Sequence, residues 1–125
     1  MKPNKYHSKK ITVEGQTFDS KKEYLKFKEL ELLERAGKIQ NLKRQVEYLL
    51  IPAQFGMMPD PKTGRMKRVC LERACTYKAD FTYNDESGKL HVVDVKGYKG
   101  GGAYSIFKIK KKLMLQSFGI LVEEV

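Results

Sequence analysis

The chain has 125 residues, of which 41% are hydrophobic and 32% are charged. This length suits one domain, and no segment approaches the roughly 18 consecutive apolar residues of a membrane helix, so the composition predicts a soluble globular protein and excludes a transmembrane one. Lys and Arg number 25 against 15 Asp and Glu, and the resulting net charge of +10 favours a polyanionic partner, nucleic acid rather than a membrane surface.

Residues 1–18 predict a polar N-terminal arm that carries a short extended piece at Ile11–Val13. No apolar segment follows the lysines of this arm, so it does not resemble a secretory signal. The chain has two cysteines, which are too few for a disulfide framework. The expected compartment is therefore the cytoplasm.

A first helix is predicted over residues 20–36. Ser20 and Glu23 fit a capping box, and the residues expected on the apolar face are Leu25, Leu32, Leu33 and Ala36. On a helical wheel Glu23 falls between Phe27 and Leu30, on the inner side of the helix, where an unpaired carboxylate is unfavourable. Glu23 is thus either no more than the capping-box carboxylate or a group directed at a site.

The middle of the chain predicts strands. Gln45–Ile51 is β-prone and Pro52 ends it, and residues 53–67 have the turn chemistry of a long hairpin excursion. Val69–Tyr83 predicts one extended strand, and a turn leads from it to a second strand over Lys89–Lys96. These two strands are expected to pair as a hairpin.

The last part of the chain predicts a loop, a helix and a strand. Gly97–Gly102 is either a mobile loop whose backbone can approach phosphates or a plain connection. The helix spans Ala103–Ser117 and the strand Ile120–Val125; the residues expected on one helix face are Ile106, Phe107, Ile109, Leu113 and Met114. The elements together predict a single α/β domain over residues 1–125, with a mixed central sheet of about four strands flanked by two helices.

The segment Val92–Lys96 has the pattern of a site. Side chains alternate along a strand, so Asp94 and Lys96 are expected on one face while Val93 and Val95 pack on the other. Asp80 alternates with apolar residues on the preceding strand, which predicts a position beside Asp94. Two close carboxylates repel unless a cation joins them, and Mg²⁺ is commonly held by one or two carboxylates.

This pattern predicts a Mg²⁺ site with Asp80 and Asp94 as ligands and Glu23 as a candidate third carboxylate, and Mn²⁺ can replace Mg²⁺. Lys96 would either orient an attacking water or stabilise the charge that develops on phosphorus. The plainer alternative is that Asp94 and Lys96 form a salt bridge on an exposed sheet face.

Asp80, the triplet Asp94-Val95-Lys96 and the order helix, three strands, helix, strand resemble the PD-(D/E)XK nuclease superfamily. Within it, the opening of helix one, Phe18–Glu23, is similar to that of small phage-encoded endonucleases related to Holliday-junction resolvases. The resemblance covers roughly residues 6–120. One departure is Ala79, which precedes Asp80 where the family name has proline. The literal match at Asp60 is rejected, because two prolines flank it in a turn-rich segment.

The resemblance implies a restriction-endonuclease-like core in which Asp80 and Asp94 ligate Mg²⁺ and the Val95 carbonyl can add a ligand. It also implies that Glu23 completes or supports the metal site, and that Lys96 orients the attacking water and stabilises the transition state. No small-molecule cofactor is expected.

Lysine and arginine residues concentrate in two stretches, which we predict to contact DNA phosphates. The predicted contacts are Lys62, Arg65, Lys67, Arg68, Lys99, Lys108, Lys110, Lys111 and Lys112. Lys110 lies within the apolar arc of the second helix, so it either extends to the surface or points at the site. The apolar residues Phe55, Met57 and Met58 of the excursion exceed what a simple turn needs, and they are expected either to form part of a dimer interface or to enter the open centre of a DNA junction.

The sequence thus predicts a Mg²⁺-dependent DNA endonuclease that is structure-selective for branched DNA and acts as a homodimer, in the host cytoplasm if it is phage-encoded. Two alternatives remain open. One is a restriction-like or nicking nuclease that acts on duplex DNA, and the other is a non-catalytic DNA-binding accessory protein of recombination.

Overall fold

The computed structural model of the chain describes residues 9–97 and 99–125. Residues 1–8 of the predicted polar arm, and Tyr98 of the predicted loop, lie outside the described residues. The elements in chain order are β1 Ile11–Val13, β2 Gln16–Phe18, α1 Lys21–Arg35, β3 Ile39–Ile51, β4 Gln54–Pro59, β5 Met66–Glu72, β6 Cys75–Asp85, β7 Leu90–Asp94, α2 Gly101–Phe118 and β8 Glu123–Glu124. In this part of the chain, no helix combines the length and the apolar character needed to cross a membrane.

A mixed sheet of four strands in the order β3-β6-β7-β8 forms the centre of the α/β fold, as predicted. β6 is antiparallel to both β3 and β7, whereas β7 and β8 are parallel. Val93 packs with Leu30 of α1, and its neighbour Val92 packs with Phe107 of α2. Because adjacent residues of a strand face opposite sides, the two helices cover opposite faces of the sheet.

Helix α1 begins as predicted, since the Ser20 hydroxyl accepts the Glu23 backbone N–H at 3.1 Å. The prediction that Leu25, Leu32 and Leu33 form the buried face is wrong, because all three are exposed. The helix buries Glu23 and Leu30, which confirms the predicted inner position of Glu23. Leu25 follows Glu23 by two residues, and Leu32 follows Leu30 by two residues. Two residues correspond to a rotation of about 200° around an α-helix, so the leucines lie on the opposite face from Glu23 and Leu30. Packing of Phe27 against Phe18 and Phe81 selects the second face.

The residues just before α1 form a small hairpin, β1–β2, rather than only an extended piece. Glu14 and Gly15 have φ values of 51° and 79° in its two-residue turn, as a tight hairpin turn requires. Phe18 at its end is fully buried, and the Arg44 guanidinium lies 3.9 Å from the centre of the Phe18 ring. The hairpin is therefore attached to the core through an aromatic contact.

The predicted strand over Val69–Tyr83 is wrong, because the chain divides it at Arg73-Ala74 into β5 and β6. β5 pairs with β4 in a separate two-stranded sheet, so the predicted hairpin excursion of residues 53–67 exists but extends to Glu72. Pro52 has no N–H to continue the β3 ladder, and the partner strand is interrupted at the same level.

Helix α2 buries Phe107 and Met114 as predicted, whereas Ile106 and Ile109 are exposed, contrary to the prediction. The terminal strand is shorter than predicted. β7 ends at Asp94, so Lys96 lies beyond it; the Lys96 N–H nevertheless donates to the Val125 carbonyl and the Val125 N–H to the Asp94 carbonyl. These two bonds extend the parallel pairing past the end of β7.

Candidate functional site

An open cleft of about 1000 Å³ lies where the start of α1, the end of β7 and the start of α2 meet. Its lining includes Asp19 and Glu23 from the α1 end and Asp80, Asp94 and Lys96 from the sheet. The glycines of residues 100–102, at the start of α2, form part of its wall. The cleft therefore brings together all four residues that the sequence pattern predicts for catalysis.

Asp80 lies on β6 at a break in the side-chain alternation. Tyr77 and Ala79 pack on the α2 side of the sheet, whereas Phe81 packs on the α1 side. On β3, the facing residue Gln45 has a φ of 53°, so the irregularity affects both strands. Asp80 Oδ2 accepts the Val95 N–H at 2.8 Å, which turns the carboxylate toward the end of β7.

Asp94 is buried at the end of β7, with 6% of its surface exposed. The Tyr77 hydroxyl donates to its Oδ2 at 2.6 Å, and Lys96 Nζ lies 2.8 Å from its Oδ1. Lys96 Nζ also lies 3.6 Å from the centre of the Phe107 ring. The salt bridge between Asp94 and Lys96 is thus present, but it lies in the cleft and not on an exposed sheet face.

Glu23 is 2% exposed and has several polar partners. Its Oε2 accepts the Asp19 backbone N–H at 3.1 Å, and its Oε1 accepts from Gln45 Nε2 at 3.1 Å. Arg44 Nη2 lies 3.9 Å from the same Oε1. The Gln45 amide also lies 3.5 Å from Asp80 Oδ1, so it bridges two carboxylates of the cleft. Glu23 therefore does more than cap the helix.

Burial and repulsion from neighbouring carboxylates raise the proton affinity of Asp80 and Glu23. Burial, the Asp94 charge and the Glu23 charge raise the pKa of Asp80 to about 7, although the Val95 N–H and Lys96 oppose the shift. Burial also raises the pKa of Glu23, against the hydrogen bond from the Asp19 N–H. Burial and the Asp94 carboxylate raise the pKa of the Tyr77 hydroxyl. Such a concentration of negative charge is relieved by a cation.

Three carboxylates in the cleft are close enough to share a cation. Asp19, Glu23 and Asp80 each offer an oxygen, and these oxygens lie within 4.8 Å of one another. An all-oxygen donor set suits a hard divalent ion such as Mg²⁺. Asp94 does not belong to this group of three, because its two oxygens face Tyr77 and Lys96.

Sequence reasoning missed three residues of the site. Asp19 stands next to the predicted N-cap, where it indicates only the start of the helix. Strand alternation assigns Tyr77 to the apolar side, which is correct for its ring but not for its hydroxyl. Gln45 carries no signal in the sequence, since its role depends on the irregular pairing of β3 with β6.

The predicted DNA-contacting residues lie in two regions. Lys62 and Arg65 are in the turn of the β4–β5 hairpin, Lys67 and Arg68 are on β5, and the others precede or belong to α2: Lys99, Lys108, Lys110, Lys111 and Lys112. Lys111 Nζ lies 2.8 Å from Glu124 Oε2 and is held in that ion pair. Lys110 is half-buried on α2, and it is not among the described residues that line the cleft.

Comparison with known proteins and family models identifies a family for the chain. No curated protein and no solved structure matches the chain. Residues 3–122 match the family model DUF1064, whose description is a protein of unknown function. That match covers nearly the whole chain, so the protein belongs to the DUF1064 family.

Proposed function

We propose that the protein is a metal-dependent DNA endonuclease of the PD-(D/E)XK type, which hydrolyses phosphodiester bonds and prefers branched DNA. One observation carries this proposal. The buried carboxylates of Glu23 on α1 and Asp94 on β7 and the half-buried carboxylate of Asp80 on β6 converge in a single cleft. A lysine ammonium lies 2.8 Å from Asp94. A protein that only binds DNA gains nothing from buried negative charge opposite phosphate.

The order of the elements supports the proposal. With the two hairpins β1–β2 and β4–β5 set aside, the elements run α1, β3, β6, β7, α2, β8. The resemblance to the nuclease superfamily implies a helix, three strands, helix, strand order, with the acidic residues on the second and third of these strands. In this chain Asp80 lies on β6, Asp94 ends β7 and Lys96 follows just beyond β7.

The chemistry of the donor groups supports Mg²⁺, or Mn²⁺ in its place. Asp80 would hold the ion with Glu23 and Asp19, whose oxygens lie within 4.8 Å of one another. Asp94 and the Val95 carbonyl would complete the site once an Asp94 oxygen that now contacts Tyr77 or Lys96 turns toward the ion. The ion would supply Lewis-acid activation of water and of the phosphoryl oxygen. The pKa of about 7 at Asp80 supports a cation at this position, because without one the carboxylate is only partly ionised near neutral pH.

Lys96 would act on the reacting phosphate. Its ammonium is oriented by Asp94 and by the face of the Phe107 ring, so it is held in one position before DNA binds. A pre-positioned cation stabilises negative charge that develops on phosphorus, or orients the attacking water. Asp94 in turn is held by the Tyr77 hydroxyl, which fixes the pair from the opposite side.

The net charge of +10 supports a DNA substrate. Lys22 lines the cleft and its Nζ donates to the Lys96 carbonyl at 2.6 Å, so a second ammonium lies near the carboxylates. Both would approach the phosphates next to the cleaved bond. With DNA as the substrate, we expect the protein to act in the cytoplasm, as a homodimer and without a small-molecule cofactor.

The decisive test is to incubate the pure protein with a four-way junction and with linear duplex of the same sequence, each with Mg²⁺ and with EDTA. Preferential, Mg²⁺-dependent cutting of the junction is expected. Equal cutting of both substrates would favour the duplex nuclease. Binding with no cutting under any divalent ion would contradict the enzyme and favour the accessory DNA-binding protein.

A further inference from the structure

Strands β4 and β5 form a two-stranded ribbon, residues Gln54–Glu72, that no other strand of the described chain joins. The ribbon continues the β3–β6 hairpin beyond its interruption at Pro52. Six residues of β4 at about 3.4 Å each give it a length of roughly 20 Å. A two-stranded ribbon is only marginally stable in water by itself, so this one is expected to bind a partner.

One face of the β4–β5 ribbon is apolar and exposed. The register pairs Met57 with Arg68 and Pro59 with Met66, and the face that carries them also carries Phe55, which is 48% exposed. On the opposite face, Leu71 lies across Gly56: a Cβ added to this glycine would meet Leu71 Cδ1 at 2.6 Å. Clustered exposed apolar side chains mark interaction surfaces.

Cations lie on both faces of the ribbon. On the apolar face Arg68 lies beside Met57, and its guanidinium is 3.9 Å from the centre of the Phe55 ring. Lys67 lies beside Met58 on the opposite face. Lys62 and Arg65 add two charges in the turn, whereas the ribbon has only Asp60 and Glu72 as acids. Interleaved cations and flat or flexible apolar groups complement nucleic acid, which presents phosphates beside base edges and stacked bases.

A second copy of the chain fits this surface less well. Prolines and lysines at the edge of a sheet oppose the addition of a further strand. Pro59 ends β4, and Lys67 and Arg68 lie on β5. A two-fold contact between ribbons would also bring like charges together. Residues 1–8 contain two lysines and no acid, so they do not complement the ribbon either.

We propose that the β4–β5 ribbon is a DNA-binding arm that enters a groove of the substrate. Arg65, Lys67 and Arg68 contact phosphates while Phe55 and Met57 contact base edges or an opened base step. The major groove, about 12 Å wide, admits a two-stranded ribbon. This proposal rests on DNA as the substrate of the proposed function, and it identifies the surface that holds that substrate.

The ribbon and the cleft can engage one DNA molecule. Cys75, at the base of the ribbon, precedes Asp80 by five residues along β6, which corresponds to about 17 Å. This distance is roughly half a helical turn of B-DNA, so DNA that lies along β6 can contact the ribbon and present a phosphate to the cleft.

The test measures binding of fluorescent duplex and junction DNA in EDTA, so that cleavage is not needed. Replacing Arg65, Lys67 and Arg68 together with Ala should reduce the log–log salt slope by about 0.9 for each phosphate that the variant no longer neutralises. The variant Phe55→Ser/Met57→Ser should weaken binding at least tenfold with little change in slope. A variant in which Asn-Gly replaces residues 54–73 should show both the smaller slope and the weaker binding, with thermal melting to verify that the core remains folded.

Helix α1 provides matched controls outside the ribbon. Lys26→Ala/Lys28→Ala/Arg35→Ala removes the same charge, and Leu25→Ser/Leu32→Ser removes exposed apolar groups. Neither control should change affinity or slope as the ribbon variants do. Equal effects of the ribbon and control variants would overturn the proposal. Ribbon variants that dissociate a dimer but keep full DNA affinity would also overturn it and assign the ribbon to a second copy.

The outcomes separate this proposal from the nuclease function. DNA binding that depends on the ribbon, without Mg²⁺-dependent cutting, would support the DNA-binding arm and contradict the nuclease function. Mg²⁺-dependent cutting, with DNA binding that does not depend on the ribbon, would support the nuclease function and contradict the DNA-binding arm. A protein with no affinity for either DNA would reject both.

Discussion

Each of the two aspartates in the cleft has a distinct set of partners, and this separates their contributions. Asp94 is bonded to Tyr77 and Lys96, whereas Asp80 accepts from the Val95 N–H and lies within reach of Asp19 and Glu23. Asp80 is therefore the more accessible ligand of a cation. Asp94 fixes Lys96 and supplies negative charge from the opposite strand.

We expect Asp80→Asn and Asp94→Asn each to abolish cleavage and to leave DNA binding intact or stronger. Each change keeps the shape of the side chain and removes one negative charge near phosphate. The measurement is cleavage in Mg²⁺ together with binding in EDTA. Glu86→Gln, which removes an exposed carboxylate 3.7 Å from Lys38 Nζ, is the control. Normal cleavage by either aspartate variant would remove that residue from the site.

Lys96→Ala is expected to slow the chemical step on the order of a hundredfold or more, the loss typical of removing one preorganised electrostatic donor. Lys96→Arg should rescue poorly, because the planar guanidinium does not fit where the compact ammonium lies between Asp94 and the Phe107 ring. Single-turnover rates at saturating DNA measure this step. A large loss of affinity at an unchanged rate would make Lys96 only a phosphate contact.

Among the secondary-structure elements, the β7–β8 edge of the sheet depends on one histidine. His91 Nδ1 lies 2.7 Å from Glu123 Oε2, its Nε2 lies 2.7 Å from Asp85 Oδ2, and its ring stacks on Tyr83. The hydrogen bond with Asp85, followed by Glu123, raises the pKa of His91. The protonated imidazole thus joins the β6–β7 turn to β8.

This geometry predicts a pH-dependent contribution to stability. Because folding raises the pKa of His91, its stabilisation is complete below the unfolded value of about 6.5 and is lost as the pH rises through the higher folded value. The difference in free energy of unfolding between wild type and His91→Gln should therefore be larger at pH 5.5 than at pH 9. Urea unfolding measures it, with His7→Gln, at the other histidine, as the control. A pH-independent difference would contradict the prediction.

At the scale of the whole molecule, residues 9–97 and 99–125 of each chain build one carboxylate cleft, whereas resolving a four-way junction needs two symmetric incisions. A C2 homodimer supplies the second cleft and matches the symmetry of the substrate. We expect sedimentation to show a dimer at micromolar concentration, free or with junction DNA, and paired nicks on the junction with much weaker cutting of linear duplex. A monomer that cuts both substrates equally would favour the general duplex nuclease.

Local patterns in the sequence determined much of the fold. The N-cap at Ser20, the β6–β7 hairpin, the buried Val93 and the four-stranded mixed sheet follow from capping chemistry, turn residues and strand alternation, which act over a few neighbouring residues. The same alternation placed Asp94 and Lys96 in one space. These features were predictable because they do not depend on distant parts of the chain.

Only the tertiary structure decided which face of α1 is buried, because the helix has apolar residues on two sides and the packing of Phe27 selects between them. It also divided the segment after Val69 between the ribbon and the central sheet. The geometry of the site depends most strongly on the tertiary structure. The break in side-chain alternation at Asp80 and the positions of Asp19 and Gln45 follow from how β3, β6 and α1 pack together. No local pattern contains that information, since it depends on contacts between residues far apart in the chain.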